Sequence, residues 1–232
     1  MLETLKQEVL QANLDLVKHH LVLFTWGNVS AYDEETKLVV IKPSGVSYEQ
    51  MSASDMVVVD LDGHIIEGEL KPSSDTPTHL ALYKAFKGIK AVVHTHAKYS
   101  TIFAQSKKAI PAFGTTHADY FASDIPVTRT MTRNEINGEY ELETGHVIIE
   151  RFKELALDPL SCPSVLVSEH GPFSWGDSCA NAVHNAAVLE YVAHMAFETS
   201  LLRDDQFSMN QDLLKKHFSR KHGKNAYYGQ KQ

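Results

Sequence analysis

Cysteine is nearly absent from this chain: Cys162 and Cys179 are the only two in 232 residues. Two are too few for a disulfide framework, which fits a reducing cytoplasm. No Cys-x-x-Cys pair occurs, which removes zinc fingers, and no His-Glu-x-x-His helix occurs, which removes the common zinc-protease signature. No dinucleotide-type glycine fingerprint is present. No apolar run approaches the roughly 20 residues that cross a bilayer. Basic residues are outnumbered, and the net charge of −7 gives no general attraction for nucleic acid or an anionic membrane. Met1 to Leu16 carries Glu3, Glu8 and Asp15 inside an amphipathic pattern, which reads as a helix rather than a secretion signal. No internal repeat, low-complexity linker or compositional break divides the chain, so residues 1–232 read as one domain.

What the chain has in quantity is histidine, 13 of them, and two are arranged as His94-Thr95-His96 at the end of the apolar run Ile89, Ala91, Val92, Val93. Side chains on a strand alternate faces, so His94 and His96 point the same way and form a chelate for a divalent transition metal. His170 follows a second β-like run, Val165 to Val167, and Asp75 follows Ser73-Ser74 upstream. Three histidines and a carboxylate at element ends suggest a catalytic zinc-type site. On spacing alone, hydrogen-bonded core histidines remain the alternative.

Periodicity predicts helices over residues ~2–19, from Thr76-Pro77 through Phe86, near 99–106, from 132 to 136 with a capping pattern, and over 143–155, 178–202 and ~209–222. It predicts short strands at 21–30, 37–42, 55–60, 64–66, after Gly88 and at 164–168, with an irregular tail from Asn225 to Gln232. Pro43-Ser44-Gly45 and Asp62-Gly63 are turn signals, and hairpins this early argue against a purely parallel sheet. The expected architecture is therefore α/β, with helices covering both faces of a largely antiparallel sheet.

Three loops carry ligand-type groups. Thr25-Trp26-Gly27-Asn28 offers a glycine for close backbone approach and a side-chain amide. Lys42-Pro43-Ser44-Gly45 combines a cation, a hydroxyl and a glycine amide. Lys71-Pro72-Ser73-Ser74-Asp75 sets two hydroxyls before a helix N-terminus, which suits a phosphate. A routine β-turn and a helix cap are the structural alternatives. Thr115 to Tyr120 is dense in proton-moving groups, although Asp119 also fits a surface carboxylate. The cations and paired tyrosines from His217 to Gly229 also fit a frayed helix end.

Taken in order, Thr25–Ser30, Ile41–Val46, Lys71–Thr76, Val93–His96, Gly114–Tyr120, Ile136–Glu141, His170–Phe173, Lys221–Gly223 and Ala226–Gly229 resemble the epimerase branch of the class II aldolase/adducin family over nearly the whole chain. The resemblance implies a single-domain three-layer α/β/α sandwich with a mainly antiparallel central sheet. It also implies a homotetramer with active sites between subunits. It implies Zn2+, one per subunit and replaceable by Mn2+ or Co2+, held by His94, His96 and His170 with Asp75 bound or close by. Gly27, Asn28, Lys42, Ser44, Gly45, Ser73 and Ser74 would bind a phosphorylated pentulose. Asp119 and Tyr228 would be the acid/base pair, Tyr228 reaching into a neighbour's site. Thr115, Glu141 and His217 would lie near it.

The implied reaction is interconversion of L-ribulose 5-phosphate and D-xylulose 5-phosphate at C4, by retro-aldol cleavage and re-addition through a zinc-bound enediolate that Asn28 would steady. Asp75 stands where family aldolases acting on sugars such as L-fuculose 1-phosphate typically carry glutamate. Retention of every proposed metal ligand separates the chain from the non-catalytic adducin branch. His19-His20 and Val127 depart from the usual family pattern without touching a proposed ligand.

Overall fold

The computed structural model describes residues 2–202, 208–222 and 226–228. The expected positions Gly223, Asn225 and 229–232 lie outside the described residues. Seven strands form one sheet in the order β4-β3-β2-β1-β5-β7-β6. They are β1 (Asn28–Asp33), β2 (Leu38–Ile41), β3 (Val57–Asp60), β4 (Ile65–Glu67), β5 (Ala91–His94), β6 (Ser164–Leu166) and β7 (Pro172–Gly176). Every neighbouring pair is antiparallel. The helices are α1 (Glu3–Lys18), α2 (Thr76–Ala85), α3 (Lys98–Gln105), α4 (Thr115–Ala118), α5 (Arg133–Asn137), α6 (Tyr140–Glu154), α7 (Cys179–Leu202) and α8 (Gln211–Lys221). Among the described residues no helix is long and apolar enough to cross a membrane.

Strand alternation sorts the core into two layers. Val39, Ile41, Val57, Val59 and Val92 belong to one cluster with residues of α2, α3 and α6. Their sequence neighbours Val40, Val58, Ala91 and Val93 belong to a second with α1 residues Val9, Ala12 and Leu16. Helix α7 contributes to both. Burying both faces of the central strands produces the three-layer α/β/α arrangement.

Three expectations shift. Residues 21–27 are a loop rather than the start of a strand, because His20, Phe24 and Gly27 take φ of 57°, 54° and 76°, which no strand accommodates. The strand β7 has no counterpart among the expected strands: proline and glycine bound it, and proline is tolerated as the first residue of a strand. Helix α6 begins at Tyr140, three residues earlier than its periodicity indicates.

One buried side chain ties the second layer to the mouth of the sheet. Asn13 of α1 is fully buried, accepts from the Val29 amide at 2.9 Å and donates to the Val29 carbonyl at 3.2 Å. It anchors β1 directly beside Asn28.

Candidate metal centre and cavity

The ends of β1 and β5, three loops and the start of α6 converge on one cavity of about 430 Å³. Its lining includes Gly27, Asn28, Lys42, Ser44, Gly45, Ser73, Ser74, Asp75, His94, His96, Tyr140, Glu141 and His170. A larger groove of about 910 Å³ runs between α2 and α6 and shares Ser73, Ser74 and Glu141 with it, but not the three clustered histidines.

Sheet register places Asn28 opposite His94. Gly27 makes this possible: a Cβ there would lie 2.9 Å from the His94 carbonyl oxygen and 2.7 Å from Val22 Cγ1, at a φ of 76°. Only glycine fits both the conformation and the close approach. The two serine loops are laced together by backbone bonds, Ser44 N to Lys71 O at 2.9 Å and Ser73 N to Lys42 O at 3.0 Å. Both loops therefore face the cavity as a unit.

Donor atoms of His94, His96 and His170 all lie within 4.8 Å of one another and could hold a metal ion. His94 is buried and its ring stacks on Phe173, with centroids 4.2 Å apart and planes 18° off parallel. Its Nδ1 donates to the Pro172 carbonyl at 3.0 Å, leaving Nε2 as the free nitrogen. That Nε2 lies 3.1 Å from His96 Nε2. Two ring nitrogens this close, in rings that face a third, suit a shared cation. Burial, with His94 and His96 adding to it, pushes His170 down to about 3, and burial and His94 lower His96. Neutral imidazoles are the form that ligates a metal.

Asp75 is outside this tight group. Its carboxylate accepts from Asn28 Nδ2 at 2.6 Å. Burial raises the Asp75 carboxyl, but His94, His79 and the Asn28 amide outweigh it and hold the group below its ordinary value. Asn28 Nδ2 also donates to Ser73 Oγ at 3.0 Å, whereas Asn28 Oδ1 is buried and has no hydrogen-bond partner among the described residues. In this arrangement both amide hydrogens are committed and the free atom is an acceptor. Steadying a developing negative charge would need the donor side instead.

Lys42 is 2% exposed; its ammonium makes loose hydrogen bonds, 3.4 Å each to the carbonyls of Thr25 and Pro43, and sits over the Tyr48 ring, 5.0 Å from its centroid. Burial lowers its pKa, with Asp75 acting in the opposite direction.

Asp119 and Tyr228 are not in the cavity lining. Asp119 follows α4 and grips α8: Arg220 donates to both of its oxygens at 2.9 and 2.6 Å, and His217 Nδ1 donates at 2.9 Å. Tyr228 is 59% exposed, with its ring stacked over Arg220 and Lys221 at 4.7 Å each. The pair is thus joined through Arg220 and lies outside the lining of the cavity that holds the three histidines. Tyr140 and Phe173 both touch the histidine cluster, yet nothing in their spacing signals it. They are visible in the sequence only as members of the two motif strings that contain them.

The family model for the class II aldolase and adducin N-terminal domain matches residues 7–197. Over 230 residues the chain is 55% identical to L-ribulose-5-phosphate 4-epimerase UlaF of Salmonella typhi, covering 99% of this chain and 100% of the relative. The same figures hold for the enzyme of that name in Salmonella paratyphi A. Among solved structures, an L-fuculose 1-phosphate aldolase superposes with a TM-score of 0.79 at 26% identity, over 94% of this chain and 95% of that one. YgbL of Klebsiella pneumoniae, a putative aldolase/epimerase/decarboxylase, gives 0.73 at 25% identity, over 93% and 99%.

Proposed function

The chain belongs to the class II aldolase and adducin family, and we propose that it is a metal-dependent L-ribulose-5-phosphate 4-epimerase that interconverts L-ribulose 5-phosphate and D-xylulose 5-phosphate. The observation that carries this reading is the three-histidine cluster at the floor of a cavity walled by two serine loops, in a chain 55% identical along its length to enzymes of that activity.

His94, His96 and His170 would hold a divalent ion, which we take as Zn2+ with Mn2+ or Co2+ as substitutes, and it would supply Lewis-acid activation of the ketone. The remaining work falls to the chain. Ser44, Gly45, Ser73 and Ser74 offer hydroxyls and amides to the phosphate, and the loosely bonded Lys42 ammonium adds charge. Gly27 keeps that wall of the cavity open, and the unpartnered Asn28 Oδ1 accepts a sugar hydroxyl. Asp75, its orientation fixed by Asn28, would lie close to the metal. A base removes the C4 hydroxyl proton, the C3–C4 bond opens with its electrons kept by the three-carbon fragment, and glycolaldehyde phosphate turns its other face. The bond then re-forms and a proton returns to the C4 oxygen.

Inversion needs proton carriers on both faces of the aldehyde, the role we assign to Asp119 and Tyr228. Their absence from the cavity lining of their own chain supports a site completed by a neighbouring subunit, and a cyclic homotetramer provides one. We take residues 1–232 as one functional unit working in the cytoplasm.

The test is NMR product analysis of the zinc-loaded protein with L-ribulose 5-phosphate. D-Xylulose 5-phosphate that disappears on chelation is expected. Accumulation of only dihydroxyacetone and glycolaldehyde phosphate would favour an aldolase, and no turnover by metal-loaded protein would overturn the reading.

A further inference from the structure

Each histidine of the cluster has two ring nitrogens, and the partner of one decides whether the other is free to bind a metal. His94 is fixed twice, by its strand and by the Pro172 carbonyl. His170 has neither support. It lies on the loop between β6 and β7, next to Glu169 at a φ of 65°. Among the described residues its side chain has one hydrogen-bond partner, the Tyr140 hydroxyl, 3.3 Å from His170 Nδ1. The two rings also face one another, 28° from parallel with centroids 6.2 Å apart.

Tyr140 is itself held firmly. It is the first residue of α6, and its carbonyl accepts from Thr144 Oγ1 at 2.9 Å. The next carbonyl, that of Glu141, accepts from the Thr78 hydroxyl on α2. Gly145 lets the two helices approach: a Cβ at that position would lie 2.7 Å from Ala81 Cβ. Helix α2 also begins directly after Asp75. One helix pair therefore places both the carboxylate beside the cluster and the phenol behind it.

We propose that Tyr140 is a positioning residue for His170: its hydroxyl accepts the Nδ1 proton, fixes the ring's tautomer and leaves Nε2 as the metal-facing nitrogen. This rests on the metal-site reading above. The direction of the hydrogen bond is the substance of the claim. A phenol that instead donated to Nδ1 would leave the proton on Nε2 and oppose metal binding, so removing the hydroxyl would tighten it.

The test is zinc affinity of the full-length protein, measured by competition with a chromophoric chelator, for the wild type and Tyr140→Phe. The variant keeps the ring and loses only the hydroxyl. Loss of a partner that orients a ligand weakens metal binding by about 10–100-fold, and that weakening is expected, together with a shifted visible absorption band in the cobalt-loaded variant. If the variant melts lower without metal, the zinc-induced rise above its own metal-free baseline still reports the affinity. Equal or tighter binding, or an equal zinc-induced rise, overturns the role of Tyr140 and leaves the metal site standing. A wild-type protein that takes up no zinc overturns both.

Discussion

The Asn28 amide donates to the Asp75 carboxylate across 2.6 Å, and the same asparagine faces His94 in the sheet register. Strand, helix cap and histidine cluster are linked through that one side chain. Asn28→Ala removes a hydrogen bond to a charged group and leaves Asp75 freer to turn. Such bonds are worth about 1.5–3 kcal/mol, so a kcat lower by roughly 10–100-fold is expected with the fold retained. Steady-state kinetics with circular dichroism checks it; a wild-type kcat would remove the pair from the reaction.

His96→Asn tests the cluster at its most accessible member. His96 Nε2 lies 3.1 Å from His94 Nε2, so losing one imidazole leaves two ligands where a catalytic zinc uses three. Metal content by mass spectrometry after dialysis should fall sharply, and activity with it. An unchanged stoichiometry would take His96 out of the ligand set.

His79 predicts a pH dependence. Its Nδ1 meets Ser30 Oγ at 2.7 Å, its Nε2 is buried with no partner among the described residues, and burial depresses its pKa to about 3 from 6.5. Below pH 6.5 the unfolded chain gains a proton that the folded chain refuses until about pH 3. Stability therefore falls as pH drops through that window, by at most ~1.4 kcal/mol per pH unit from this group. Urea midpoints of the metal-free protein should show a shallower pH slope for His79→Gln than for the wild type, whatever the absolute stabilities. Parallel slopes would mean that His79 is not neutral in the fold.

These contacts mark where the sequence stops being legible. Helix α1 is readable because Leu2, Leu5, Val9 and Leu16 recur at helical spacing, and α2 because Pro77 opens it. His94 and His96 are readable because strand alternation puts two ligands on one face. Asn13 is not, since a polar residue on a buried helix face has meaning only when its partner, Val29, is known. Tyr140 meets His170 across 30 positions of chain, and no local period encodes such a meeting. Phe173 is hidden in a strand bounded by proline and glycine. Propensity and period report local geometry; the contacts that orient the histidines are set by packing between distant elements.

Asp119 supports a prediction about the C-terminal helix. Burial raises its carboxyl, but hydrogen bonds from Arg220 and His217 and the charge of Lys221 more than offset this and hold it below its ordinary value. The carboxylate is therefore ionised throughout the neutral range, and its hold on α8 is lost only as the pH falls through its lowered pKa. Asp119→Asn keeps the shape and removes the charge that the cations Arg220 and Lys221 share with the His217 imidazole. Hydrogen exchange in 211–221 should accelerate at pH 7 while the β5 amides stay protected. Unaltered exchange would show that α8 is held by its apolar contacts alone.

Tyr228 is the residue whose setting in a single chain least resembles an active site. It is exposed, stacked on Arg220 and Lys221, and absent from the cavity that holds the histidines. If it serves a neighbour's cavity, Tyr228→Phe should preserve folding and assembly and lose most epimerisation. A mixing experiment separates this from a site built within one chain. Tyr228→Phe chains keep the histidines, and His96→Asn chains keep the tyrosine. In a cyclic tetramer assembled at random from equal amounts of both, about one interface in four joins an intact histidine cluster to an intact tyrosine. Co-expression should therefore restore roughly a quarter of wild-type activity from two inactive parents. A site within one chain would restore none, because every chain in the mixture lacks one of the two groups.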